Sequence, residues 1–274
     1  MELTVMTYNI ASGRCYQDDS HITPEGGAPV DLSQCANVIR NVSPDLCGLN
    51  EINVYLQSYL DRHALTKTAT DQPRYLADIT GLSHCYFGKA ISWESRGAYG
   101  NAVISKHPVI AAETIPIPDP EVFDEPDKYY ETRSITKAKL NVAGGITVFQ
   151  IHVGLAVAES QNAVVTLCKA IDETEGPVIV MGDFNMCPSN FLLDRIRQRL
   201  TEVKPKGNGY VHSFPSWTHE SDVPQQLKNC PYCKLDYIFV SDHFTPLDCE
   251  ILKERSSDHM PMIAILELNP EESA

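Results

Sequence analysis

Two strand-like stretches, residues 134–141 and 145–153, meet at a short turn containing Gly144-Gly145. A connection that short joins antiparallel neighbours, because a parallel return needs a crossover of a dozen or more residues. A purely parallel sheet is therefore not expected. The rest of the chain alternates apolar strand-like runs with amphipathic helical stretches, the pattern of α/β or α+β architecture. Strands are expected over 3–9, 45–50, 86–91, 101–105, 134–141, 145–153, 178–184, 235–241 and 262–268. Helices are expected over 32–42, 72–80, 159–173 and 190–199. Mixed sheets reconcile the two signals.

Three segments read as loops: a Gly/Pro-punctuated polar stretch at 13–30, an acidic, proline-rich one at 115–130, and 204–234 with its Gly, Pro, His, Trp and Cys residues. No repeat or break in composition divides the chain, so residues 1–274 are expected to form one domain whose long loops serve a site. No apolar run reaches the roughly 18–20 residues of a transmembrane helix. The first residues alternate like a strand and carry no secretory signal, which predicts a cytoplasmic protein. An odd count of 9 scattered cysteines points the same way, to reduced thiols more than to a disulfide framework.

Several apolar runs end in a polar residue with useful chemistry. They end at Asn9, at Asn50-Glu51, at His152 and at Asp183-Phe184-Asn185, while Asp236 opens a late strand and Asp258-His259 precedes the last. Strand ends present side chains on a rigid base. Each residue alone also has a plain structural reading, a carboxylate as a cap or turn former and a histidine as a hydrogen-bonded strand terminus. Together they form a set of hard-metal and acid–base groups.

These pieces resemble the endonuclease/exonuclease/phosphatase superfamily, which includes deoxyribonucleases, neutral sphingomyelinases, inositol-polyphosphate 5-phosphatases and deadenylases. The resemblance rests on Thr7-Tyr8-Asn9-Ile10, Leu49-Asn50-Glu51, Tyr99-Gly100-Asn101-Ala102, Ile151-His152-Val153, Gly182-Asp183-Phe184-Asn185, Leu235-Asp236-Tyr237-Ile238 and Ser257-Asp258-His259. They stand in the family's order from residue 7 to residue 259. Asn50-Glu51 replaces a common Gln-Glu, and a histidine in Ile-His-Val is closer to the deoxyribonuclease, sphingomyelinase and deadenylase branches than to the abasic-site branch. The resemblance implies a four-layer α/β (α+β) sandwich, two mixed β-sheets face to face with helices on both outer faces, and a site at one edge of the sheets.

It also implies roles. Glu51 would be the metal carboxylate, with Asn9 and Asp258 in or near the coordination sphere of Mg²⁺, for which Mn²⁺ is a possible substitute; Mg²⁺ takes hard oxygen ligands and needs only one or two carboxylates. Asp183 would orient or deprotonate the attacking water, and Asn185, His152 and His259 would donate to the phosphate, with His259 oriented by Asp236. Asn101 and Arg133 are further substrate-binding candidates; Arg133 suits a bidentate phosphate clamp, and equally a surface ion pair.

Charge bears on the substrate. With 22 basic against 36 acidic residues the formal charge is −14, and a protein that grips nucleic acid non-specifically needs a basic surface. The balance favours a phosphorylated small-molecule or lipid-linked substrate over DNA or RNA, although a nuclease would share the same core. A non-catalytic binding module would have lost one of the acid–base residues, and none is missing. Cys230-Pro231-Tyr232-Cys233, with His212 and His219 upstream, has the spacing of half a Zn²⁺ site or a redox pair. No second pair completes it, so the two are expected to be unpaired thiols.

Overall fold

The computed structural model describes residues 1–14, 30–63, 70–206, 211–216 and 232–269. In chain order the elements are β1 (Glu2–Asn9), α1 (Leu32–Val42), β2 (Leu46–Tyr55), α2 (Gln57–Arg62), α3 (Gln72–Thr80), β3 (His84–Trp93), β4 (Gly97–Ser105), β5 (Val109–Pro116) and β6 (Ser134–Leu140). They continue with β7 (Ile146–His152), α4 (Val157–Asp172), β8 (Val178–Asp183), α5 (Leu192–Arg197), β9 (Thr201–Glu202), β10 (Asp236–Val240), β11 (Phe244–Ile251) and β12 (Met262–Leu268).

Two six-stranded sheets result, ordered β11-β12-β1-β2-β4-β3 and β5-β6-β7-β8-β10-β9. Each has one parallel pair at its centre, β1 with β2 and β7 with β8, flanked by antiparallel neighbours. Each central pair is joined through a helix, α1 or α4. The β6–β7 hairpin is antiparallel, with Leu140 opposite Ile146.

Helix α1 forms because Leu32, Cys35, Ala36 and Ile39 repeat at the spacing of one helical face, and all four are buried. Asp31 caps its first turn by accepting from the Ser33 amide, and Ser43 ends it in the left-handed region at φ 50°. The layers follow from where each apolar face goes. Val5, Leu46 and Val103 of the first sheet pack between the sheets against Val148, Ile179 and Ile238 of the second. The outer face of the first sheet, with Tyr8 and Leu49, is covered by Ile39 of α1 and Leu76 of α3. Phe149 and Val180 on the outside of the second sheet are covered by Leu167 of α4 and Leu193 of α5. Each fully buried aliphatic or aromatic side chain contributes about 1.5–3 kcal/mol, so the three apolar layers fix the strand ends that carry the polar set. This is the four-layer sandwich expected.

Strands β5, β9 and β11 and the helix α2 were not anticipated. Strand β5 runs into the segment read as a loop at 115–130, pairing Ile115 with Ile135 and Pro116 with Ser134. The expected strand at 45–50 continues to Tyr55, and the one at 101–105 begins at Gly97. Most of the loops expected at 13–30 and 204–234, with His219 and Cys230, lies outside the described residues. Among the described residues no helix is long and apolar enough to cross a membrane.

Candidate active site

The C-terminal ends of both central parallel pairs lie at the same edge of the sandwich, and the polar strand-end residues gather there. In the first sheet Asn9 ends β1 opposite Asn50 of β2. The β2–β4 register then shifts, Leu49 facing Ala102 and Ile52 facing Gly100. Asn50 and Glu51 thus oppose Asn101 alone, a bulge of the kind that re-aims a side chain. Glu51 adopts φ 54°, the left-handed region that a residue with a Cβ enters only when its surroundings hold it there. The Asn9 amide donates to Glu51 Oε1 at 3.2 Å and to Asp183 Oδ2 at 3.0 Å, linking the sheets.

In the second sheet the register sets three reactive side chains in a row. His152 ends β7 opposite Asp183 of β8, and Asp183 faces Asp236 of β10. Gly182 permits the close approach of β7 and β8: its φ is 144°, and a Cβ there would lie 1.9 Å from the Ile151 carbonyl oxygen. Behind the row Asn50 is a fully engaged hub. It accepts from Gln150 Nε2 at 2.8 Å and the Asp183 amide at 3.0 Å, and donates to Asn101 Oδ1 and the Ile151 carbonyl. Gly48 leaves room for Gln150, whose Oε1 would lie 1.9 Å from an added Cβ.

Asp183 Oδ2 is the point of convergence. His152 Nε2 lies 3.4 Å from it and His259 Nε2 lies 3.6 Å from it. His259 Nδ1 donates to Asp236 Oδ2 at 2.8 Å, and the Asp236 amide donates to Ser213 Oγ at 3.0 Å. Burial pushes the Asp183 carboxyl up, and Asp236 adds to this against the opposing pull of His259, to about 7. Burial works against a charged His259, but Asp236 and Asp183 outweigh it and hold the imidazolium to about 10. His152 is driven well below the ordinary histidine value by burial and then by the Arg133 and His259 charges. Asp183, Asp236 and His259 place ligand-type atoms within 4.8 Å of one another. With Nδ1 bonded to Asp236 Oδ2, His259 turns Nε2 toward Asp183, an arrangement able to hold a proton between carboxylate and imidazole.

A half-buried carboxylate pair lies beside it. Burial, and then the Asp258 charge, push the Glu51 carboxyl up, while Arg133 and His259 pull it down. The Ser257 hydroxyl donates to the Asn9 carbonyl at 2.8 Å and lies 3.2 Å from Asp258 Oδ1. Two mutually repelling carboxylates with an amide alongside are hard-oxygen donors short of positive charge, which fits a divalent cation.

The remaining candidates divide. Arg133, buried just before β6, reaches the cleft, but its Nη1 is committed to His152 Nδ1 and Glu131 Oε2, each at 2.8 Å, and to the Tyr99 hydroxyl at 3.3 Å. Asn185 takes φ 50°, donates its side-chain amide to the Val153 carbonyl, and lines the cleft. Asn101 accepts from Asn50 and donates to the Ser134 carbonyl, so both its ends are used within the protein. The cleft measures about 480 Å³, and Lys128, Leu155, Phe214, Leu235, Cys187 and Cys233 also line it. Of these, Cys233 stood out in the sequence through its Cys-x-x-Cys spacing, and Leu235, like Tyr99 and Asn50, lies within the motifs quoted there; Lys128, Leu155, Phe214, Cys187, Glu131, Gln150 and Ser213 carried no signal.

Cys233 corrects the expectation of unpaired thiols: it is bonded to Cys187, with Cα atoms 5.8 Å apart. The cause is register. Asp183 faces Asp236, so residues just beyond the end of β8 lie opposite those just before β10, within the Cα separation that a disulfide spans. The proposed Cys230–Cys233 pair falls partly outside the described residues.

The fold has close counterparts. The structure superimposes on an endonuclease/exonuclease/phosphatase from Beutenbergia cavernae DSM 12333 with TM-score 0.70 and 21% identity, covering 100% of this chain and 73% of that one. It superimposes on a mannosyl-6-phosphatase of Bacteroides thetaiotaomicron VPI-5482 with TM-score 0.67 and 14% identity, covering 97% and 100%. ANGEL2, a 2',3'-cyclic phosphatase captured with adenosine-2',3'-vanadate, gives TM-score 0.63 and 16% identity over 98% and 96%. At these identities the likeness establishes the fold alone. No curated protein matches the sequence. The family assignment comes instead from a match over residues 6–259, which brackets every cleft residue from Asn9 to His259: the chain belongs to the Endonuclease/Exonuclease/phosphatase family of phosphoric ester hydrolases.

Proposed function

We propose that residues 1–274 form one catalytic domain that uses a divalent cation, Mg²⁺ with Mn²⁺ as a substitute, to hydrolyse a phosphate ester of a small or lipid-linked substrate. The observation that carries this reading is the convergence of His152 Nε2, His259 Nε2 and the Asn9 amide on one oxygen of Asp183. A carboxyl held near 7 is matched to take a proton from water at neutral pH. Glu51, Asn9 and Asp258 would hold the cation, which supplies charge neutralisation at the phosphoryl and leaving oxygens.

The protein's own groups do the rest. Asp183 orients the attacking water and takes its proton. His259, kept charged by Asp236, donates from Nε2 to a phosphate oxygen on which charge accumulates, and His152 and Asn185 add uncharged donors. Preorganised donors of this kind are usually the largest catalytic contribution. The formal charge of −14 weighs against a nucleic-acid duplex as substrate. Leu155, Leu235 and Phe214 give the cleft an apolar side suited to an organic ester group.

The test is a panel of sugar phosphates, phospholipids, nucleotides, RNA and plasmid DNA, assayed with purified protein in Mg²⁺, in Mn²⁺ and in EDTA. Turnover of a small or lipid phosphoester that EDTA abolishes is the expected result. Full activity in EDTA removes the cation, and preferential cleavage of plasmid DNA at about 0.15 M salt moves the reading to a nuclease.

A further inference from the structure

The two imidazoles beside Asp183 are held by opposite partners, and the partner of His152 is a cation. Arginine carries donors and no acceptor. The 2.8 Å contact between Arg133 Nη1 and His152 Nδ1 therefore has one polarity: Nη1–H donates and Nδ1 accepts. The proton of the ring must then sit on Nε2, the nitrogen that faces Asp183 Oδ2 at 3.4 Å. Nη1 also donates to the Tyr99 hydroxyl at 3.3 Å and pairs with Glu131 Oε2 at 2.8 Å, so it is anchored inside the protein. The guanidinium nitrogen is thus held by the Glu131 carboxylate and the Tyr99 hydroxyl while it serves the imidazole.

We propose that Arg133 is a positioning residue that locks His152 as the neutral Nε2–H tautomer, making it an uncharged hydrogen-bond donor to the phosphoester and not a proton-transfer acid. The proposal rests on the phosphoesterase reading of the cleft for its catalytic half, and on the Arg133 geometry alone for its tautomer half. It gives Arg133 a use other than a bidentate grip on phosphate, since Nη1 is spent inside the protein and Nε is buried with no hydrogen-bond partner among the described residues. The groups that bear on His152 all agree with it. Arg133 ahead of β6 and His259 ahead of β12 both oppose a positive ring. Glu131 is occupied by Arg133, Tyr99 of β4 faces Arg133, Asp183 Oδ2 of β8 lies 3.4 Å from Nε2, and Glu51 of β2 lies within the field of the guanidinium.

The test is the ¹⁵N spectrum of the histidine rings in the full chain, with His152 assigned by comparison with His152→Gln. The wild-type ring should show an acceptor-type Nδ1 and a protonated Nε2 throughout pH 6–8. Arg133→Met removes both the donor to Nδ1 and the neighbouring charge that opposes a positive ring, so Nδ1 should gain a proton in part of the rings within that range. Arg133→Lys keeps a donor and should retain the wild-type spectrum. With bis(p-nitrophenyl) phosphate and Mg²⁺, Arg133→Met should lower kcat about tenfold or more with KM within about twofold, and Arg133→Lys should recover most of it. A wild-type ring protonated on Nδ1 overturns the proposal without any variant, as does an unchanged ring spectrum in a folded Arg133→Met. Absence of phosphoester turnover in the wild type would instead remove the reading of the cleft and leave the ring spectra to decide the tautomer.

Discussion

The two histidines that flank Asp183 are the same side chain, nearly equidistant from the same oxygen, in opposite charge states. His259 bonds Asp236, which opens β10, and is held as an imidazolium. His152 ends β7, bonds Arg133 and is held neutral. Burial opposes the charged form of both, so the partner at Nδ1 decides. Each arm presents Nε2 to the cleft, and one brings a full positive charge there while the other brings none. The proposed mechanism depends on this asymmetry, since two imidazolium rings would draw Asp183 into a permanent ion pair and take away its capacity to accept a proton.

The largest effect should come from the group the arms share. Asp183→Asn preserves shape and removes the base, and should cut kcat by about a thousandfold, within the range for general-base catalysis, with a cooperative melt showing that the fold survives. A loss below about tenfold would mean that the arms serve the phosphate without a base between them.

The charged arm comes next. Asp236→Asn and His259→Gln should each cost about a hundredfold, and the double variant should be little worse than either, because the pair acts as a unit. Asp236→Asn combined with Arg133→Met should instead multiply the two losses, because these residues belong to different arms. Multiplying losses within the Asp236/His259 pair would dissolve that arm into two independent residues.

The pH profile separates the arms further. Asp183 must be ionised to take a proton, so kcat should rise with pH through about 7; His259 must be charged, so it should fall above about 10. His152 should add no inflection. Stability runs with the sign of each shift. A histidine raised to about 10 stabilises fully below its unfolded value of about 6.5 and loses that contribution as pH climbs to its folded value. A carboxyl raised to about 7 acts in the same direction, since the unfolded chain gives up that proton from about pH 4 upward while the folded one retains it. Melting curves should therefore fall from pH 5 toward pH 10, and the difference between wild type and His259→Gln should narrow over the upper part of that range.

The two sheets were not equally legible in the sequence. Their central strands were, because each is a largely apolar run that ends in a polar residue, and the helices at 32–42 and 72–80 matched residue for residue because their apolar stripes and Asp caps are strong local signals. The edges were not. Strand β5 exposes most of its side chains and has no clean alternation, and β11 is interrupted by Pro246 and a register shift before Asp248. The same limit applies at the cleft. Asp183, His152 and His259 sit where apolar runs stop, so the sequence pointed to them. The choice between a neutral and a charged imidazole depends on Arg133 and Asp236, which reach their partners across strands, from 19 and 23 residues away. The Cys187–Cys233 bond depends on the β8–β10 register, which no local pattern encodes.

That disulfide provides the mildest test of the comparison, because it touches one arm only. Cys233 lies before the strand that Asp236 opens, its carbonyl accepts from the Phe214 amide, and the Phe214 ring packs 4.8 Å from the His259 ring. Among the described residues no hydrogen bond or ion pair joins it to Arg133 or Glu131. Cys187→Ser with Cys233→Ser should therefore change the packing around His259 slightly and leave the His152 ring spectrum as it is. Turnover should fall no more than about threefold, because the Asp236–His259 bond is held by β10 and by Ser213, and a threefold change corresponds to less than 1 kcal/mol. Stability should respond more, since opening a loop that spans 46 residues costs about 2–4 kcal/mol in the usual range for a native disulfide. A double-serine variant that lost its turnover but kept its melting temperature would reverse the order, making the Cys187–Cys233 wall part of what orients His259.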